Sequence, residues 1–232
     1  MRKALRYSFF VVSFGLLISS VSVTEAKAQN ILGEILKRMD LNNKALQSLT
    51  ANVTMEKVNV QINDSDIYIG STSYLPKTAK RGSYIRVDWT KPTEEQMAVI
   101  GDNYELYRPR LNQVIVGKVS KAKNSSAVGG PLSFMNMSKA QLQANYSVVY
   151  LGEEQVGGTT RTWHIQLTPK TPTSYKMADL WVDPDGMPRQ AKITEQNNDT
   201  TTVLLSKIEK NVKLDGNMFK LNYPSSAKKI KA

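Results

Sequence analysis

The chain consists largely of short segments in which apolar and polar residues alternate, each bounded by turn-forming residues. Within one of them, Trp163, Ile165 and Leu167 fall on one face and polar side chains fall on the other. Alternation of this kind is typical of a β-strand with one buried face. About eleven such segments, spaced as in a barrel or sandwich, predict a mainly β fold. They are residues 58–62, 66–75, 84–89, 96–100, 104–108, 113–118, 146–152, 161–168, 176–182, 188–196 and 201–210.

Two segments depart from this alternation and predict helices. The first predicts an amphipathic helix that ends near residue 49, because its apolar residues recur every three or four positions. These residues are Ile31, Leu32, Ile35, Leu36, Met39, Ala45, Leu46 and Leu49. In the second segment, Ser138 is expected to cap a short helix that runs through Asn145.

The beginning of the chain has the layout of a secretory signal peptide. A basic region comes first, an apolar run from Phe9 to Ile18 follows, and Ala26-Lys27-Ala28 ends the segment. The apolar run is too short for a comfortable membrane span, which needs roughly 20 apolar residues. The pattern therefore predicts cleavage after Ala28, a signal peptide over residues 1–28, one domain over residues 29–232, and a location in the periplasm.

The net charge and the cysteine content limit the kinds of partner and covalent modification that are expected. The formal charge is +11, and removal of residues 1–28 takes away four basic residues and one acidic residue, which leaves +8. An exported protein rarely meets nucleic acid, so an anionic membrane surface or an acidic protein partner fits this charge better. Simple solubility explains it equally well. The chain contains no cysteine, which excludes both disulfides and a lipid-modified N-terminal cysteine.

No motif indicates catalysis, and the sequence contains neither a G-x-S-x-G elbow nor a Walker A loop. The only histidine, His164, lies on the polar face of a predicted strand, where a solvated side chain is expected. Without cysteine or a second histidine, no zinc or iron site and no other cofactor is expected. Paired carboxylates lie in or beside predicted turns and are expected to be solvated, so no enzyme is predicted. They are Glu94-Glu95, Glu153-Glu154 and Asp183 with Asp185.

An insertion interrupts the strands between residues 119 and 137. Residues 121–130 are rich in Lys, Ser, Asn and Gly, as in a flexible loop, and Pro131 opens the apolar part. That part carries Leu132, Phe134, Met135 and Met137. Methionine is flexible and suits variable apolar ligands, so the insertion is expected to cover an apolar cavity as a lid. An equal alternative is a plug that fills the sheet as ordinary core.

A series of short motifs resembles the LolA family of periplasmic outer-membrane lipoprotein carriers. The resemblance covers nearly all of the chain after residue 28, and the order and spacing of the motifs carry it. The motifs are Lys80-Arg81, Thr90-Lys91-Pro92, Tyr107-Arg108-Pro109, Leu167-Thr168-Pro169-Lys170, Asp185-Gly186 and Glu195-Gln196-Asn197.

The resemblance implies an unclosed antiparallel β-barrel of about eleven strands with a helical lid over an apolar cavity. It also implies that a basic residue of a Lys-Arg-Pro motif fastens the lid, and Arg81 falls at that position. Gly82 stands where the family usually has proline, and Ile85 matches a residue of the cavity or its rim. A solvated charge at a strand edge is the alternative for Arg81.

By the same resemblance, the protein is expected to shuttle lipoproteins from the inner to the outer membrane as a monomer. Its expected partners are acylated lipoproteins, an inner-membrane lipoprotein-releasing transporter and an outer-membrane acceptor, but not nucleic acid. The alternatives are a lipid-binding sensor or regulatory module on the same fold, and a carrier of a glycolipid. Regulators of this fold carry a further C-terminal domain, whereas the present sequence ends at Ala232, soon after its last predicted strand, which favours the carrier.

Overall fold

The computed structural model describes residues 21–121, 134 and 137–232 of the chain, with side chains from residue 28 onward except at residue 121. Leu132 and Met135, two of the predicted cavity residues, lie outside the described residues. The helices are α1 (Val21–Ala45) and α2 (Lys139–Asn145). The strands are β1 (Leu49–Asn59), β2 (Asp64–Leu75), β3 (Tyr84–Lys91), β4 (Glu95–Ile100), β5 (Asn103–Arg108), β6 (Gln113–Lys118), β7 (Tyr146–Val156), β8 (Thr160–Pro169), β9 (Tyr175–Val182), β10 (Pro188–Glu195), β11 (Thr200–Lys210) and β12 (Lys228–Lys231).

All of these strands belong to one sheet, in the order β12-β6-β5-β4-β3-β2-β1-β11-β10-β9-β8-β7. The first eleven strands pair antiparallel, each with its neighbour along the chain or, for β1 and β11, across the sheet. The sheet ends at β7 on one side and at β12 on the other, so it is unclosed. This confirms the predicted mainly β fold. The short β12, which pairs parallel with β6, is an addition that the sequence pattern does not predict. The strand predicted over residues 58–62 is misplaced: β1 is Leu49–Asn59, and residues 60–63 form the turn that leads into β2.

Helix α1 packs on one face of the sheet, which we call the inner face. Ile35, Leu36 and Met39 are almost fully buried there and join the main hydrophobic core. The turn between β9 and β10 fixes the helix, because a Cβ atom at Gly186 would lie 2.3 Å from the backbone of Arg38. Arg38 in turn donates from Nη1 to the carbonyl oxygen of Pro184 at 2.8 Å.

The predicted C-terminal end of α1 is wrong, whereas the predicted N-terminal cap of α2 is confirmed. Helix α1 ends at Ala45 and not near residue 49, because Leu49 already pairs with Tyr74 of β2. Helix α2 begins as predicted: the Ser138 hydroxyl accepts from the Gln141 amide at 3.2 Å, and the Gln141 side chain accepts from the Ser138 amide at 2.9 Å. This reciprocal pair is a capping box, which satisfies two amides at the start of the helix.

The C-terminal segment after β11 crosses the opposite, outer face of β3–β6. Phe219 is fully buried there, and its ring centroid lies 5.6 Å from that of Tyr84. Arg86 donates to the carbonyl oxygen of Met218 at 2.5 Å. Farther on, Leu221 packs with Ala98, Tyr107 and Val114. The segment therefore seals the outer face of these strands before it joins the sheet as β12.

Candidate functional site

Two rows of mostly apolar side chains cross the inner face of β2–β6. The register aligns Tyr74, Ile85, Val99 and Tyr104 in the first row. It aligns Thr72, Val87, Met97, Leu106 and Ile115 in the second. Burial raises the pKa of Tyr74 to about 12, so its hydroxyl stays neutral. A surface of this kind suits an apolar ligand, because it offers broad contact and few polar groups.

Two parts of the inner face differ in how well they are covered. The covered region is the inner face of β8–β11, where Ile165, Leu180 and Ala191 are fully buried. The partly exposed region is the inner face of β2–β6, where Ile85 and Leu106 keep part of their surface accessible although Val87 and Met97 beside them are buried. Both regions contribute to the same hydrophobic core, so the sheet carries one continuous apolar face.

The predicted cavity residues that the structure describes lie at this face. Ile85 is in the first row, between Tyr74 and Val99. Phe134 is only 2% exposed. Its ring packs edge-on against the rings of Tyr146 and Tyr175, with centroids 5.8 Å and 5.9 Å away.

Met137 is half-buried beside the same core, and its carbonyl oxygen accepts a hydrogen bond from Asn43 of α1 at 3.0 Å. The described part of the insertion is therefore packed down on the core and tied to α1. A closed lid and a permanent plug would both be packed in this way, so the choice between them stays open.

Arg81 lies in the connection between β2 and β3. Its Nη2 donates to the carbonyl oxygen of Pro76 at 3.3 Å, and its guanidinium carbon lies 5.1 Å from the ring centroid of Tyr84. Its Nε is buried, without a hydrogen-bond partner among the described residues. The neighbouring position 82 is occupied by glycine for a steric reason: a Cβ atom there would lie 2.8 Å from the Cα of Gly101. The role of Arg81 as the residue that fastens a lid stays a prediction.

The expectation of a solvated His164 is wrong. Its side chain is only 12% exposed and lies between two carboxylates. Nδ1 is 2.9 Å from Glu154 Oε1, and Nε2 is 3.0 Å from Asp179 Oδ1. The indole of Trp181 stacks on the imidazole and donates to Glu154 Oε2 at 2.6 Å. We call these four residues the histidine cluster; it lies on the outer face, behind the covered region.

Protonation within the histidine cluster follows from these contacts. Burial alone would lower the pKa of His164, but the hydrogen bonds to Asp179 and Glu154 outweigh it and raise the pKa. The hydrogen bond from Trp181, followed by that from His164, lowers the pKa of Glu154. Both shifts favour an imidazolium held between carboxylates. None of its four side chains is a hydroxyl or thiol that the imidazole could activate as a nucleophile.

The other carboxylates are also not all solvated. Asp183 is buried and organises the β9–β10 turn, since it accepts from the amides of Asp185 and Met187. It also pairs with Arg189 at 2.7 Å. Across the described residues, no three His, Asp or Glu side chains converge as metal ligands would. Neither helix in the described ranges has the length and apolar character needed to cross a membrane.

Comparison with known proteins agrees with this architecture. The family model described as outer membrane lipoprotein carrier protein LolA matches residues 78–222. The chain belongs to the LolA family. The family takes its description from an outer membrane lipoprotein carrier protein. No curated protein matches the chain at a significant level.

Solved structures share the fold at low sequence identity. An uncharacterized conserved protein from Thermus thermophilus is 13% identical, with a TM-score of 0.53 over 89% of this chain and 99% of that one. MucB is 12% identical, with a TM-score of 0.53, and the match covers 85% of this chain but 63% of MucB. A LolA superfamily protein from Nitrosomonas europaea is 16% identical, with a TM-score of 0.42 over 84% and 97% of the two chains. At these identities the likeness concerns the fold alone, and the first two structures carry it.

Proposed function

We propose that this protein is a periplasmic carrier that shields the acyl chains of lipoproteins and shuttles them from the inner to the outer membrane. The observation that carries the proposal is the partly exposed apolar region of β2–β6, in a chain that belongs to the LolA family. In this proposal Phe134 and its neighbours form a lid, Arg81 fastens it, and the protein acts as a monomer without catalysis.

The physical demand on such a carrier is large. Each CH₂ group removed from water contributes about 0.8 kcal/mol, so a 16-carbon chain represents roughly 12 kcal/mol of unfavourable exposure. A carrier that gained this full amount on binding would not release its cargo. The lid therefore has to compete with the acyl chain for the same apolar face, so that part of the binding energy is used to open it.

Export is the first part of the proposal to test. We propose cleavage after Ala28, which leaves a chain that starts at Gln29. Among the α1 side chains that the structure describes, from residue 28 onward, the first to pack on the core is that of Ile31, so cleavage after Ala28 would keep all of these contacts. N-terminal sequencing of the native periplasmic protein tests this, and a retained Met1 would refute it.

Ligand binding is tested by titration with a fluorescent 16-carbon fatty acid. We expect saturable binding by the purified mature chain, and at least tenfold weaker binding by Leu106→Asp, since a buried carboxylate opposes an acyl chain on the same surface. Leu111→Asp is the matched control, because Leu111 is 64% exposed on the turn before β6. Absence of saturable binding to the wild type would end the carrier proposal.

Transfer distinguishes a carrier from a protein that only binds. Donor vesicles would contain a fluorescent triacylated lipopeptide, and acceptor vesicles would contain none. We expect a small amount of protein to move many equivalents of lipopeptide, whereas a sensor would bind about one equivalent and stop. Partners of the proposed cycle are a lipoprotein-releasing transporter in the inner membrane and an acceptor in the outer membrane.

A regulatory module on the same fold is the second candidate. The observation that favours it is the similarity to MucB, a protein that has also been crystallised in complex with MucA. A carrier of glycolipid is a variant of the first proposal. Mass spectrometry of lipids and peptides that co-purify from the periplasm separates these cargoes, because an acylated peptide, a glycolipid and an unacylated partner differ in mass.

A further inference from the structure

The inner face of β1–β5 changes character toward one end. Beyond the two apolar rows, Trp89 faces Glu95 across the β3–β4 pair. Tyr68 packs edge-on against Trp89 at 5.7 Å. Arg108 completes the series, with its Nε 3.0 Å from Glu95 Oε1. We call Tyr68, Trp89, Glu95 and Arg108 the polar row.

The polar row is built differently from a surface ion pair. Its two charged groups lie beside two aromatic rings, yet Glu95 and Arg108 keep 26% and 37% of their side chains exposed. Trp89 also faces Gly70, a residue without a side chain, on the β2 side. The row is thus reachable from the apolar rows and offers a cation, a carboxylate and aromatic faces together.

The nearby charges are balanced. Lys57 Nζ lies 5.2 Å from the ring centroid of Tyr68, and Lys57 pairs in register with Asp66. Two cations and two carboxylates therefore surround the aromatic rings. A ligand group with one net charge would disturb this balance, because it would be attracted by one member of the Glu95–Arg108 pair and repelled by the other.

We propose that the polar row binds the zwitterionic head group of an amphiphile whose acyl chain lies on the apolar rows of β2–β6. The proposal shares the acyl-binding face with the proposed function but goes beyond it, because it assigns to that face an amphiphile with a phosphate and an ammonium group, which the acylated end of a lipoprotein does not carry. A phosphate group replaces Glu95 as the partner of Arg108, whose planar fork suits two oxygens. An ammonium group lies against Glu95 and over the faces of Trp89 and Tyr68, as cations do on aromatic rings. Each member of the ion pair then exchanges one partner for another, and neither of these partly exposed charges is left without a partner of opposite sign.

The test is displacement of the fluorescent fatty acid by three 12-carbon amphiphiles below their micellar concentrations. They are dodecylphosphocholine, dodecyl phosphate and a neutral dodecyl ethoxylate. We expect dodecylphosphocholine to bind about tenfold more tightly than the other two, since one charge-assisted contact corresponds to a factor of that order. In the double variant Glu95→Gln/Arg108→Gln this preference should disappear, while the affinity for the neutral amphiphile stays within about twofold.

The chain offers a matched control and a second variant. Glu153→Gln/Arg161→Gln removes an exposed cross-strand pair of the same type, in which Arg161 Nε lies 2.9 Å from Glu153 Oε2, and should leave all three affinities unchanged. Glu95→Gln alone should reverse the preference toward dodecyl phosphate, because Arg108 then lacks its carboxylate. Loss of folding would weaken the binding of all three amphiphiles together, so it cannot produce such a reversal of preference.

The outcomes separate the two proposals. If none of the amphiphiles and no fatty acid binds saturably, the proposed function fails. If they bind but dodecylphosphocholine has no advantage, or keeps it in the double variant, the assignment of the polar row is wrong and the carrier proposal stands. A tighter fit of an uncharged acyl dipeptide amide than of dodecylphosphocholine would also overturn the assignment, in favour of a peptide head group.

Discussion

The covered region and the partly exposed region belong to one sheet, and both present alternating apolar residues, yet they are buried to different degrees. In β9, Ala178, Leu180 and Val182 have no accessible surface. In the two rows of β2–β6, Ile85 and Leu106 keep some accessible surface, whereas Val87 beside them is fully buried. The alternation is the same in both, so the difference lies in what packs on it. Helix α1 lies near the covered region: the Arg38 guanidinium is 5.4 Å from the Trp163 ring of β8, and Asn42 donates to the sulfur of Met187, which precedes β10.

In the proposed function, the two regions serve different purposes within one sheet. Burial of apolar side chains against fixed elements stabilises the fold, whereas apolar side chains that stay accessible leave contact area for a ligand. We expect substitutions in the covered region to change stability and substitutions in the partly exposed region to change binding.

The largest expected effect is on stability. Leu180→Ala should lower the free energy of unfolding by about 2–5 kcal/mol, because it opens a cavity in a fully packed site. Leu106→Ala should cost about 1 kcal/mol and weaken fatty-acid binding instead. Urea unfolding and fatty-acid titration of both variants test the pair. Equal losses of stability would break the distinction between the regions.

Phe134→Ala tests whether the insertion is part of the packed core, like the covered region, or a lid that opens for the proposed ligand. The contacts with Tyr146 and Tyr175 are worth about 3 kcal/mol if they resemble those of other buried phenylalanines. For a lid, this loss should appear as local opening in hydrogen exchange and tighter acyl binding, with a smaller shift of global unfolding than in Leu180→Ala. A plug would show the full loss in global unfolding and no gain in affinity.

Arg81→Leu addresses the proposed fastening of the lid. If Arg81 holds the empty protein closed through a charge-assisted bond worth roughly 1.5–3 kcal/mol, its removal should raise the open fraction and tighten acyl binding about tenfold or more. Release to acceptor vesicles should become slower. Unchanged affinity would indicate a surface charge, and weaker affinity would indicate a direct ligand contact. Lys80→Leu, the neighbouring cation, is the control.

The smallest expected effect concerns the histidine cluster behind the covered region. The raised pKa of His164 contributes stability below its unfolded-state pKa of 6.5, which is lost as the pH rises through the folded-state value. The lowered pKa of Glu154 contributes stability above 4.5, which is lost as the pH falls. The loss of unfolding free energy in His164→Gln, relative to wild type, should therefore be largest between pH 4.5 and pH 6.5. Even there it should be smaller than the loss in Leu180→Ala.

Thermal unfolding from about pH 4 to about pH 9 measures this difference across the range in which both groups titrate. The control is Gln166→Ala, which removes a hydrogen bond of 3.1 Å to the same Asp179 without removing a titrating group. Its loss of stability should not vary across the range in which His164 titrates. A constant difference for His164→Gln as well would show that the imidazole acts through packing on Trp181 alone.

Much of the fold could be predicted because its signals are local. The alternation in β8 involves side chains two residues apart, and the Ser138 cap involves an amide three residues away. Gly101 in the β4–β5 turn and Gly186 in the β9–β10 turn both have positive φ, which glycine accepts at little cost. The end of α1 does not depend on local signals alone. The helical spacing of apolar residues continues to Leu49, but Leu49 pairs with Lys210 of β11 and Tyr74 of β2 and therefore belongs to β1.

The histidine cluster shows why the remainder could not be predicted. Glu154 and Asp179 lie 10 and 15 residues from His164, on different strands. A bulge between Tyr150 and Gly152 shifts the register of β7, and such a shift changes the face on which each later side chain lies. No sequence pattern near His164 predicts the bulge in β7, which brings Glu154 to the face of His164. The sequence therefore predicts a solvated histidine on the polar face of β8.

The sequence by itself determined the strands between β2 and β11, the turns within their hairpins, the capped helix and the family, because each depends on short-range periodicity or on motifs in order along the chain. Only the tertiary structure decided which part of the apolar face α1 covers and where the C-terminal segment packs on the outer face. It also decided that four residues distant in the chain form one row: Tyr68, Trp89, Glu95 and Arg108. The physical reason is that burial and charge pairing are properties of neighbours in space, which β-pairing brings together from distant parts of the chain.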